Sequence, residues 1–441
     1  MLRICGIVYL MEWKQYVRHN DDIAEMDQDI PDAVLGDIFL VIAPGLVQLA
    51  EEEFRYKWQA ILDLAGFASD GFRPEPEIYP EAAGITLRGL SEELGYLLNQ
   101  CLKIPTRVLL RLKAFRCRDF PKLYNRVKKI DWKPYFPDGA GVQIRVSAHA
   151  SRLMHHKRIG KTVSEALQSS SSALSSVHQL SPDESEKDSF QLFVRFHHDM
   201  CTISLDTTGE ALYRRWPGKK TGEAPIRETL AAAMFWKMQQ VSGRPSGALS
   251  VIDPMAGSGT FLLEAATFWR VSGRRDYDFL KFPSQAANLQ YFSDKRGQQL
   301  LPQPELDLKG FDQSHDSVQR SVENFQRAAQ NIRILQQDLF CDEKETSCDK
   351  EDHCDWVFVN PPYGVRLETG EIFPYYYKRV LKKILERWNP ELIAMIVPSS
   401  QLKRSFRVPF EYQLLQRLSF LNGGLRVCLL LLCKTDQKAA G

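Results

Sequence analysis

With 441 residues the chain is too long for a single hydrophobic core, and two to three domains are expected. Its 44% hydrophobic and 25% charged residues exclude a wholly disordered or fibrous protein, and a net charge of +2 does not by itself announce a polyanionic partner. The longest apolar runs, such as 427–433, fall far short of the ~20 residues that span a bilayer. Nine scattered cysteines favour a reducing compartment, so a cytoplasmic protein without a membrane partner is expected.

Residues 1–35 carry Asp21, Asp22, Glu25, Asp27, Asp29 and Asp32 and read as a solvated extension. From 36 to 102, Phe39–Ile42 reads as a strand, Pro44-Gly45 as a turn and Leu46–Trp58 as an amphipathic helix. Gly84–Leu87 (strand) and Leu94–Leu102 (helix) follow, then a strand at Arg107–Leu112. Short strands alternating with helices suggest a small α+β module.

Positive charge gathers between 103 and 161. Sixteen Lys and Arg residues, from Lys103, Arg107 and Arg111 through Arg118, Arg152 and Arg158, face only Asp119, Asp131 and Asp138. Tyr124, Trp132, Tyr135 and Phe136 are interleaved, a pattern suited to a phosphate backbone. Residues 164–189, rich in serine and charge, read as a mobile loop. His197-His198-Asp199 joins two strands, Phe190–Phe196 and Met200–Leu205. With no Cys or carboxylate set at ligand spacing, no metal site is expected. Leu212–Lys220 links the front half to the back, and Pro225 opens a helix with Ile226, Leu230, Met234 and Met238 on one stripe.

The back half alternates strand and helix: Leu249–Ile252, Thr260–Trp269, Leu306–Phe311, Asp316–Ala329, Ile332–Leu335, Val357–Val359, Tyr375–Trp388 and Leu392–Val397. A hairpin about Asn422-Gly423-Gly424 closes the chain. This is the pattern of a doubly wound α/β sheet, with ligands at the carboxyl ends of the strands.

Four strand ends carry chemistry. The first runs into Asp253-Pro254-Met255-Ala256-Gly257-Ser258-Gly259-Thr260, where glycines allow a tight turn and close approach to a ligand. No Gly-Lys-Ser/Thr follows, and Leu262 stands where a dinucleotide fingerprint has its third glycine. The second strand ends at Asp312, placed for two ribose hydroxyls, and the third near Asp338, placed for an adenine edge. The fourth is stopped by Asn360-Pro361-Pro362-Tyr363, where two prolines stiffen a ledge that can grip a planar group carrying an NH₂. The acidic stretch Cys341–Cys354, with Cys348 and His353, reads as a surface loop rather than a zinc site.

On these motifs, with Gly222-Glu223-Ala224-Pro225-Ile226-Arg227-Glu228 before the glycine loop, residues 221–435 resemble a class I S-adenosylmethionine-dependent methyltransferase of the amino-group-modifying type. Residues 103–210 resemble a THUMP RNA-binding domain, preceded by a ferredoxin-like region at 36–102; the order is similar to the RlmL/TrmN group of guanine-N2 RNA methyltransferases. The resemblance implies a Rossmann-like α/β methyltransferase domain behind an α+β RNA-binding region. It implies S-adenosylmethionine as cofactor and the N2 amine of a guanosine in ribosomal or transfer RNA as target.

By the same resemblance Asp253, Ala256, Gly257, Gly259, Asp312, Asp338 and Asn360 would bind the cofactor. Asn360 and the carbonyl of Pro361 would accept hydrogen bonds from the target amine on the Pro362 ledge, and Tyr363 would stack on the extruded base. No second methyltransferase domain is expected after it. The alternatives are adenine-N6 methylation of DNA, which uses the same ledge, glutamine methylation of protein, and a non-catalytic RNA-binding or assembly protein.

Overall fold

The computed structural model describes residues 36–67, 74–81, 83–170, 174, 176–179, 189–222, 225–242, 248–273, 275–341, 354–362, 373–403, 408–422 and 425–435. The front half builds an eight-stranded sheet from β1 (Ile38–Val41), β2 (Glu77–Glu81), β3 (Gly84–Arg88), β4 (Arg107–Arg116), β5 (Gly141–His149), β6 (Ser176–Gln179), β7 (Ser189–His197) and β8 (Met200–Asp206). The order is β2-β3-β1-β4-β8-β7-β5-β6. β4 pairs with β1 on one side and β8 on the other, so one sheet runs through both regions, 36–102 and 103–210. The pairs β5–β6 and β5–β7 are parallel, and the other pairs among the described strands of this sheet are antiparallel.

Four helices accompany this sheet: α1 (Val47–Ala65), α2 (Glu92–Cys101), α3 (Phe120–Lys128) and α4 (His156–Ser170). Local chemistry starts two of them. Ser91 caps α2 by accepting from the Leu94 amide at 3.3 Å, and Asp119 caps α3 by accepting from Lys122 at 2.8 Å. The serine-rich stretch departs from expectation over its described part, being helical to Ser170 and a strand at Ser176–Gln179. Ile159, Val163, Ala166 and Leu167 form a buried stripe at helical spacing, which outweighs the composition of the segment.

The basic run is also divided. Lys103 and Arg111 are buried, and Arg107 and Arg111 pair with Asp206 and Glu81. Trp132, Tyr135 and Phe136 are core residues and cannot meet a nucleic acid.

The back half forms a seven-stranded sheet, β11-β10-β9-β12-β13-β15-β14, from β9 (Leu249–Asp253), β10 (Leu306–Asp312), β11 (Arg333–Gln336), β12 (Trp356–Val359), β13 (Leu392–Pro398), β14 (Tyr412–Asn422) and β15 (Leu425–Lys434). β9 to β13 are parallel, β15 runs antiparallel to β13, and the chain order reverses between β9 and β12. Its helices are α5 (Glu228–Ser242), α6 (Thr260–Thr267), α7 (Leu289–Asp294), α8 (His315–Arg327) and α9 (Phe373–Arg387). α5 starts at Glu228, not Pro225, and is buried all round from Thr229 to Trp236 instead of along one stripe. Val357 and Phe358 enter separate hydrophobic clusters, so β12 is covered on both faces, as its unbroken apolar run requires.

An aromatic seam and a buried polar cluster help to join the halves. The insertion at 275–305 lays Phe279 flat on Tyr96 at 5.0 Å and sets Phe282 against Tyr135 and Phe190. Beside it Lys57, fully buried, donates to Glu53 at 2.6 Å and to the Phe268 carbonyl of the back half at 3.0 Å. Glu53 also accepts from the amides of Lys103 and Ile104 at 2.8 and 2.9 Å. Lys103 reaches Ser272 at 2.7 Å, and burial, with Arg215 and Lys57 nearby, pulls its amine down to about 7. Among the described residues no helix is long and apolar enough to cross a membrane.

Replacing Glu53 by Ala leaves the buried Lys57 amine without its carboxylate partner and two amides without their acceptor. The variant is expected to lose about 3–5 kcal/mol, read as a lower midpoint in urea unfolding. An unchanged midpoint would mean the junction does not depend on this carboxylate.

Candidate active site

The reversal of strand order between β9 and β12 opens the sheet at its carboxyl end, and the glycine loop lies there. Backbone bonds fix the loop: the Ala256 amide donates to the Phe311 carbonyl at 2.9 Å and Gly259 to Ala256 at 2.8 Å. Gly257 and Gly259 have φ of 59° and 72°, the left-handed region that disfavours a side chain. They differ in surroundings. A Cβ at Gly257 would meet open space, whereas one at Gly259 would lie 2.5 Å from the Phe325 ring of α8. Gly257 therefore leaves backbone open to a ligand, and Gly259 allows α8 to pack.

Asp312, at the end of β10, holds this loop. Its Oδ2 accepts from the Gly257 amide and its Oδ1 from Ser314, both at 2.9 Å. Asp338 stands two residues past β11 and accepts from the Phe340 amide at 2.9 Å. A cavity of about 1020 Å³ is lined by Gly257, Asp312, Asp338 and Pro362, and thus joins residues from all four motif-bearing strand ends. Asp253, Ala256, Gly259, Asn360 and Pro361 do not line it. Asp253 is buried behind the loop and accepts from the Met255 amide at 3.0 Å. Burial first, then nearby Asp312, pushes its carboxyl up to about 8, so it is protonated at neutral pH.

The ledge is positioned from below. Phe358 of β12 stacks on Phe261 of α6 with ring centroids 3.7 Å apart, and Asp355 accepts from the Ser250 amide at 2.9 Å, pinning β12 to β9. Asn360 follows half-buried, Pro361 is buried and Pro362 is exposed at the cavity wall. Tyr363 lies outside the described residues, as do 1–35, Cys348, His353 and Gly423-Gly424.

Sequence reasoning missed two walls of the cavity. Leu339, Phe340 and Tyr376 form an apolar side, and Arg379 sits 4.2 Å over the Phe340 ring. The signal was present in two apolar residues directly after Asp338. The other wall, Thr221 and Gly222, belongs to the segment between the two sheets, and Asn324 of α8 clamps it. Asn324 donates to the carbonyls of Lys220 at 2.8 Å and Ser258 at 3.0 Å and accepts from the Lys220 amide at 2.9 Å. A mid-helix asparagine gives no warning of such a role.

With this geometry in hand, comparison with known proteins is decisive at the level of domains. A model described as "RMKL-like, methyltransferase domain" matches residues 215–411, and a THUMP domain model matches 117–206. The chain combines a THUMP domain with an RMKL-like methyltransferase domain. Ribosomal RNA large subunit methyltransferase K/L of Ectopseudomonas mendocina is 26% identical over 374 residues, 80% of this chain and 49% of that protein. Its counterpart in Methylococcus capsulatus is 27% identical over 341 residues, 74% and 44% of the two chains. The chain spans about half the length of these curated relatives. The fold is shared with TrmN from Thermus thermophilus, at a TM-score of 0.60, 17% identity and coverage of 90% of this chain and 99% of that one. It is shared also with SMU.472, solved as a methyltransferase complex with SAH, at 0.66, 21%, 91% and 98%.

Gly259→Ala is expected to cost about 1–2 kcal/mol from the left-handed backbone, and more because Phe325 must move. Gly257→Ala bears only the backbone cost. Thermal unfolding of both variants checks this; equal losses would contradict the close packing of α8.

Proposed function

We propose that the chain transfers a methyl group from S-adenosylmethionine to the exocyclic N2 amine of a guanosine in ribosomal or transfer RNA. One observation carries the reading: a single cavity runs from the glycine loop and Asp312 to Pro362, in a chain that also bears a THUMP domain.

The residues fit the cofactor. The open side of Gly257 admits a ligand against the backbone. Asp312, held by two amides, keeps acceptor capacity for a vicinal diol, and Asp338 with Leu339 and Phe340 offers an acceptor beside an apolar slot for a purine. Asp253, Ala256 and Gly259 would shape the loop from behind, and Asn360 would border the reacting group. When bound, S-adenosylmethionine supplies an electrophilic methyl group on a sulfonium.

The chain's part is to present the amine. A guanine amine is a weak nucleophile because its lone pair is delocalised into the ring. Hydrogen bonds from its two N–H groups to the Asn360 side chain and the Pro361 carbonyl would favour a pyramidal nitrogen aimed at the methyl. Pro362 would keep the ledge rigid, and by the resemblance Tyr363 would stack on the extruded base. The N–C bond forms as the C–S bond breaks. Neutral Asn360 cannot keep the released proton, which passes to water or another group. The exposed cations Lys122, Arg126, Lys128, Lys157, Arg158 and Lys161 on α3 and α4 support an RNA partner. The seven described cysteines are free thiols, which supports a reducing, cytoplasmic setting.

Incubation with labelled S-adenosylmethionine and RNA, DNA or protein, followed by digestion, is expected to place the label in N2-methylguanosine. Label in DNA adenine or in protein would overturn the reading. Asn360→Ala is expected to abolish transfer while leaving cofactor affinity within about threefold, the scatter of ordinary contact effects. Loss of cofactor binding would mean that the ledge serves the cofactor instead of the amine.

A further inference from the structure

One corner of the THUMP domain gathers rings, cations and strained backbone. β5 ends at His149 and β7 at His197, register partners whose rings stack with centroids 5.5 Å apart and planes 23° off parallel. His198, in the β7–β8 turn, stands edge-on to His197 at 4.5 Å. Ala150, His198 and Asp199 have φ of 44°, 47° and 64° and make up three of the five non-glycine residues with positive φ among those described. His and Asp tolerate this region; alanine does not, and strain of this kind collects at functional sites.

A network around Asp199 holds the strain. Its carboxylate accepts from Arg118 Nε at 2.6 Å and the Arg152 amide at 2.7 Å, and its carbonyl accepts from Cys117 at 2.7 Å. Its amide donates to Ser151 Oγ at 3.0 Å, which in turn donates to the His149 carbonyl at 2.8 Å. Three chain segments are thereby tied into one rigid corner. That corner supports no core: His149, His198, Arg116, Arg118 and Arg152 are exposed. Arg158 lies beside it, 4.1 Å over the Phe120 ring. Among the described residues no group of three or more His, Cys, Asp and Glu could hold a metal ion, so the imidazoles are not a ligand set.

We propose that this imidazole ladder is a stacking platform for an unpaired base of the RNA, with Arg118 and Arg152 on the flanking phosphates. The inference rests on the RNA reading above. Recognition of unpaired RNA combines ring stacking with cations along the backbone. The large aromatics of the basic region, Trp132, Tyr135 and Phe136, are buried and cannot stack. His149 and His198 supply exposed rings in their place, backed by half-buried His197, on a strained backbone that the Asp199 network holds.

The test measures binding, not transfer, on the full chain. A fluorescent, unstructured pyrimidine-rich 12-mer RNA and an RNA duplex are titrated against wild type, the double variant His149→Gln with His198→Asn, and His149→Tyr. Asn suits the left-handed position of His198, so the turn is retained, and circular dichroism checks the fold. The double variant is expected to lose about tenfold or more in affinity for the single strand, the scale of one lost stack, with duplex affinity unchanged. His149→Tyr, which keeps a ring without a basic nitrogen, is expected to bind the single strand as wild type does. Undiminished single-strand affinity in the double variant, or an equal loss on both RNAs, would overturn the platform while leaving RNA methylation standing. A wild-type chain that binds neither RNA would overturn both.

Discussion

The pair of bonds from Asp312 to the amides of Gly257 and Ser314 is the constraint on which the site depends. A single carboxylate joins the end of β10 to the turn after β9 and to the start of α8. It fixes the glycine loop in a shape that only glycine backbones adopt without strain. The loop then determines where α8 can lie, because Gly259 receives Phe325. α8 in turn carries Asn324, which draws in the segment between the two sheets as a cavity wall. Removing the carboxylate would leave two amides to seek water and would release each of these elements in sequence.

The same logic joins the two halves. Buried polar groups are tolerated only when satisfied, and the Glu53–Lys57 pair meets that demand by bonding to both sides of the junction. Aromatic packing of Phe279, Phe282 and Phe292 against Tyr96 of α2 and Tyr135 supplies the apolar share. A THUMP domain tied this way to the methyltransferase domain does not drift on a tether. RNA bound at the basic helices and the imidazole corner, as proposed above, would meet the cavity in a limited range of orientations.

Much of the methyltransferase domain was legible because its signals are local. An apolar run followed by Gly-x-Gly, an acidic residue after the next strand, and a double proline after the fourth each have one physical reading at a strand end. The front half was less so. Serines at 169–172 mask the Ile159–Leu167 stripe of α4, because a Ser-rich composition speaks for a loop where the helical spacing speaks for a helix. Lys103 and Arg111 have the look of surface cations, yet the partners of their side chains, Ser272 and Glu81, lie far away in sequence, Glu81 in a short strand that gives no signal. The insertion before β10 forms the aromatic seam between the halves, with partners that no local pattern reveals. Such partnerships are tertiary, and no window of sequence contains them.

The most direct measurement is a calorimetric titration of S-adenosylmethionine, and separately of its demethylated product, into the wild-type chain and the Asp312→Ala variant. The account predicts binding of both ligands to wild type and a loss of more than about tenfold in the variant, the scale of one charge-assisted hydrogen bond, with far-ultraviolet circular dichroism showing that the secondary structure is retained. Equal affinity in a folded variant would contradict the claim that Asp312 organises the cofactor cavity.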